Sequence, residues 1–138
     1  MSVIKSIRDW IAKECTLLEE FRSLFIDYLD SEESYMIEVT PADPIVKRYT
    51  NGSTIRRKQF SFCSRVIYDG LENVDTSEFF EDFSAWMEDC DRKGNLPTLE
   101  KGKEAQSIKA LTDGYLYDAA GKMAQYRIQC EFTYYQED

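Results

Sequence analysis

Ala124-Gln125-Tyr126-Arg127-Ile128-Gln129-Cys130-Glu131-Phe132-Thr133-Tyr134-Tyr135 alternates without a break. Ala124, Tyr126, Ile128, Cys130, Phe132 and Tyr134 take one side, while Gln125, Arg127, Gln129, Glu131 and Thr133 take the other. Successive strand side chains point to opposite faces, so this stretch is a strand with one buried and one polar face. Residues 108–117 lead into it through Asp118-Ala119-Ala120-Gly121, which predicts a C-terminal hairpin that anchors a sheet.

The same period recurs upstream. In the run 57–68, Phe60, Phe62, Ser64, Val66 and Tyr68 fall on one face and Ser61, Cys63, Arg65 and Ile67 on the other. Residues 45–49 precede it across Thr50-Asn51-Gly52-Ser53-Thr54, whose Asn-Gly supplies positive-φ turn residues, so a long β-hairpin is expected. Tyr35, Ile37 and Val39 alternate with Met36, Glu38 and Thr40 in a further strand that Pro41 and Pro44 stop. Residues 24–29 read as a first strand.

Two segments carry the helical period instead. Val3, Ile4, Ile7, Trp10, Ile11, Leu18 and Phe21 recur at three- and four-residue spacings, which predicts an amphipathic helix over 3–21. A second helix is expected from Asp75, read as its cap with Glu78 three residues on, to Lys93 before Gly94. Its stripe is Phe79, Phe80, Phe83, Trp86, Met87 and Cys90, a core face rather than a ligand box. Residues 95–103 then form a surface connection. The 138 residues fit one domain, 1–138, against a usual span of about 100 to 200. The expected fold is α+β: a mostly antiparallel sheet of about five strands with a long hairpin, packed by two helices.

Chemistry is constrained by what the chain lacks. It has no histidine, which removes Ser-His-Asp, Cys-His and imidazole metal sites. Cys15, Cys63, Cys90 and Cys130 are far apart in sequence with no C-x-x-C pair, and each sits among apolar residues as a buried small hydrophobe would. The acidic pairs Glu32-Glu33, Glu81-Asp82 and Glu88-Asp89 are consecutive, so their side chains diverge instead of converging on a cleft. No phosphate-cradling glycine motif is present, and no apolar run approaches the roughly 20 residues that span a bilayer. These features predict a non-enzymatic chain with no cofactor, made and kept in the cytoplasm, without a membrane partner.

The charge is segregated. Residues 44–68 hold six positive charges and no acid, whereas 72–91 hold eight acids and no base. Three readings stand: a surface pattern without function, electrostatic complementarity between copies, and contact with phosphate. Under the second, a basic set, Lys47, Arg48, Arg56, Arg57 and Lys58, meets an acidic set including Glu81 and Asp82 on the next subunit. The net charge of −9 repels nucleic acid from the surface as a whole.

Specific residues carry a family likeness. Asp43-Pro44-Ile45-Val46-Lys47-Arg48-Tyr49, Asn51-Gly52-Ser53, Gln59-Phe60-Ser61-Phe62 and Ser64-Arg65 are joined by Gly94-Asn95-Leu96-Pro97 and Ile108. Ala110-Leu111-Thr112-Asp113-Gly114-Tyr115-Leu116, Tyr126-Arg127-Ile128-Gln129-Cys130 and Thr133-Tyr134-Tyr135-Gln136 complete the set. Together they resemble a prophage minor capsid protein family of Gram-positive bacteria, which is similar in layout to phage tail-terminator, or tail-completion, proteins.

That resemblance implies a ring of copies, typically a hexamer, that caps the tail tube and joins tail to head. The implied partners are further copies, the tail tube protein and head-tail connector proteins, with DNA only passing through the ring lumen. The implied place is the virion tail, assembled in the host bacterial cytoplasm. A head-completion or connector ring is the alternative within this class. Outside it stands a small-molecule-binding domain with Tyr115, Tyr117, Tyr134 and Tyr135 lining a cleft.

Overall fold

A computed structural model describes residues 2–15, 24–26, 34–67, 72–120 and 123–138. Nine elements follow in the order α1 (Val3–Glu14), β1 (Leu24–Ile26), β2 (Ser34–Thr40), β3 (Ile45–Arg48), β4 (Thr54–Ile67), α2 (Glu72–Lys93), β5 (Lys103–Ala110), β6 (Tyr115–Ala120) and β7 (Met123–Gln136). The fold is α+β, as its sequence implies, with one sheet of seven strands instead of about five.

Two strands of 14 residues each, β4 and β7, form the antiparallel centre of that sheet, from Thr54 opposite Gln136 to Ile67 opposite Met123. Shorter strands line the two outer edges of this pair end to end. β2 and β3 both pair with β4, and β5 and β6 both pair with β7. β1 extends the sheet beyond β2 and is its one parallel strand. Six segments carry a strand reading, and the seventh strand comes from splitting: the segment expected as one strand over 108–117 is two, interrupted at 111–114. Gly114 lies against Phe80 so closely that a Cβ there would overlap the ring, and the chain bulges there while the Leu111 amide and Thr112 Oγ1 stay bonded to Gln129 of β7.

Register assigns each face. Phe60 lies opposite Cys130, Phe62 opposite Ile128 and Ile37, and Ser64 opposite Tyr126 and Tyr35, so these residues share the face that both helices cover. Phe83 stacks on Phe62 with ring centroids 4.3 Å apart, and Trp10 of α1 meets Trp86 of α2 at 4.7 Å. Ile7, Ile11, Phe83, Met87, Phe132 and Ile128 are fully buried in this single core. Trp86 is half-buried at its margin.

Both helices differ from expectation at one end. α1 stops at Glu14, where Cys15 turns to extended backbone, and does not continue to residue 21. Residues 16–23, and 27–29 of the expected first strand, lie outside the described residues. α2 begins at Glu72, so Asp75 lies inside the helix and is not its cap. Acids suit that first turn, where the macrodipole favours negative charge. The other end closes as expected: Gly94 has φ of 75°, its amide reaches Asp91 O, and the Asn95 amide reaches Cys90 O. That pair of bonds is the Schellman arrangement, which only a residue at ease with positive φ completes. No helix among the described residues is long and apolar enough to cross a membrane.

Candidate self-assembly surfaces

The β3–β4 hairpin is built by its turn. Gly52 adopts φ of 92°, the Tyr49 amide bonds Ser53 O at 2.9 Å, and Asn51 Oδ1 accepts from both the amide and the hydroxyl of Ser53. Buried Ser53 and Thr54 anchor this turn, and it holds Lys47 and Arg48 exposed on the outer strand. Val46 and Tyr49 are exposed beside them, 47% and 40%, with the Lys47 ammonium 5.0 Å above the Tyr49 ring. β3 pairs only with β4, so among the described residues its outer edge is an open sheet edge.

The strand period divides the five basic residues. Arg57 lies opposite Thr133 on the sheet face away from the helices, and its guanidinium approaches Glu131 at 3.5 Å. Glu131 also accepts from Gln59 at 3.2 Å and faces Lys109 at 3.9 Å, so Arg57 belongs to an internal polar ladder. Arg56 and Lys58 point to the other face, opposite Tyr134 and Phe132, and Arg56 donates to Thr54 Oγ1. Only Lys47 and Arg48 of the set are exposed, while Arg56, Arg57 and Lys58 are half-buried. The sequence presents the five as one basic group because sheet register, which takes Arg57 away to Glu131, is not written in local composition.

Glu81 and Asp82 are both exposed on α2, on the side turned from the stripe of Phe80, Phe83 and Met87. Phe80 lies near Tyr126, whereas the hairpin strands run opposite Tyr134 to Gln136. Eight residues of strand separate those levels, roughly 27 Å. Glu81 and Asp82 therefore stand apart from the basic hairpin of their own subunit, toward the opposite end of the sheet.

A groove of about 530 Å³ that the sequence does not reveal runs between α2 and the outer edge of β5, lined by Ser84, Glu88, Asp91, Ile108, Leu111 and Asp113 among others. Asp91 Oδ1 accepts the Ile108 backbone amide at 3.0 Å, which ties helix to edge strand along the groove wall. Leu111 is 42% exposed there, and Glu88 and Asp113 are exposed.

The sheet face away from the helices carries a further ion pair. Arg127 pairs with Glu38 and lies 3.6 Å over the Tyr117 ring. Beneath these long side chains Cys63 is fully buried, and burial pushes its thiol up to about 12. Cys90 and Cys130 are raised for the same reason. The four cysteines are buried, and none forms a disulfide.

The tyrosines proposed as a cleft do not converge. Tyr134 faces the core beside Phe132, Tyr135 points to the opposite face, and Tyr115 and Tyr117 lie at the level of Arg127, toward the other end of β7. No group of three His, Cys, Asp or Glu among the described residues is placed to hold a metal ion. No protein-family model matches the chain, and no curated protein matches it.

Proposed function

We propose that the chain is a self-assembling structural protein of a phage tail, a terminator whose copies close into a ring, cap the tail tube and join tail to head. The observation that carries this reading is the separation of two exposed, oppositely charged surfaces: Lys47 and Arg48 on the hairpin, Glu81 and Asp82 on α2. A closed ring is built from head-to-tail contacts, which need two different patches per subunit, and opposite charges steer them together. The likeness of 43–65 and 94–136 to the prophage minor capsid family supports the same reading and supplies its tail context. No imidazole is available for acid-base catalysis, and the tyrosines that a small-molecule site would use are dispersed. Mass spectrometry of purified tail-bearing particles tests it: the chain should be present in a few copies per tail, and its absence from such particles would overturn the proposal.

A further inference from the structure

At the hairpin end of the sheet, among the described residues, the two marginal strands face opposite ways. In the order β3-β4-β7-β5, β3 lies at one margin and β5 at the other, three strand spacings or roughly 14 Å apart. Each margin carries an exposed apolar residue among charges of one prevailing sign. At β3 these are Val46 with Lys47 and Arg48; at the β5 groove they are Leu111 with Glu88, Asp91 and Asp113, against Lys109 alone. A subunit cannot fold its own hairpin into its own groove, because β4 and β7 hold the two margins apart.

We infer that the β3 edge of one copy, with Val46, Lys47 and Arg48, docks into the groove between α2 and β5 of a second copy, pairing Val46 with Leu111 and the two cations with Glu88 and Asp113. This rests on the ring reading and shifts the acidic partner from Glu81 and Asp82 to the groove. The contact joins different margins, so it is heterologous and repeats from copy to copy in one direction. Complementary charge sets the register and the encounter rate, and the apolar pair at the centre excludes water.

Cross-linking discriminates the candidate contacts, since all four native cysteines are buried. Val46→Cys combined with Leu111→Cys, treated with a short bis-maleimide at millimolar protein, should give a ladder of covalent oligomers. Val46→Cys combined with Glu81→Cys should give none. All three of these positions are exposed, and circular dichroism checks that each variant keeps its fold. In a second arm, Glu88→Lys should weaken self-association about tenfold, and Lys47→Glu with Arg48→Glu should restore part of that loss in the same chain. Oligomers that form without the 46–111 cross-link would overturn this contact and leave the ring reading standing. A chain that stays monomeric at that concentration and is missing from tails would overturn both.

Discussion

Asp91 on α2 holds the backbone amide of Ile108 on β5 through its Oδ1 at 3.0 Å, a bond between residues 17 apart in the chain. It satisfies a donor at a sheet edge and fixes the angle at which the helix meets that edge. Asp91→Ala should leave the partly buried amide without a protein partner at a cost of about 1 to 3 kcal/mol, measured as a lower urea midpoint at unchanged slope. Asp91→Asn, which keeps an acceptor, should recover most of that.

Core positions on α2 should rank by burial. Phe83 is fully buried and stacked on Phe62, so Phe83→Ala should cost about 3 to 5 kcal/mol. Trp86 is half-buried against Trp10, so Trp86→Ala should cost less. Thermal or urea unfolding of the two variants gives the order, and an equal or inverted order would mean that the helix faces the sheet differently.

Charge reversal should separate fold from assembly within the basic hairpin. Arg57→Glu places a second carboxylate beside Glu131, whose side chain is 12% exposed, and should lower the thermal midpoint. Lys47→Glu with Arg48→Glu changes exposed groups and should leave that midpoint within the small range expected of surface charges, about 0 to 1 kcal/mol each. Self-association, followed by sedimentation, should respond to the second pair.

Alkaline pH should destabilise the protein through Cys63. Its ordinary value is 9.0 and burial raises it to about 12, so the unfolded thiol loses its proton first as pH rises. The stabilising effect of the buried neutral thiol is complete below about 9 and is lost between 9 and 12, at about 1.4 kcal/mol per pH unit. Urea unfolding of Cys63→Ala should show a shallower decline over pH 9 to 10 than the parent chain, and parallel declines would contradict the assignment.

How far the sequence could be read depends on the range of the interactions involved. The alternation of 124–135, the Asn51-Gly52 turn and the Gly94 helix end are local, and each is found where the residues indicate. The break between β5 and β6 is set by Phe80 pressing on Gly114, a tertiary contact that no local period announces. The same is true of the basic hairpin. Period two already separates Arg57 from Arg56 and Lys58, but the partner that removes Arg57 from the surface, Glu131, is 74 residues away. The groove at β5 depends on where α2 crosses the sheet, so it becomes visible only when the helix and the edge strand are placed together.

Electron microscopy of tail-bearing particles from a host with and without the gene for this chain tests the central claim most directly. The account predicts that particles lacking the chain have tails of uncontrolled length without attached heads, and that the intact chain appears as a closed ring at the head-proximal end of the tube. Tails of normal length joined to heads in its absence would contradict it.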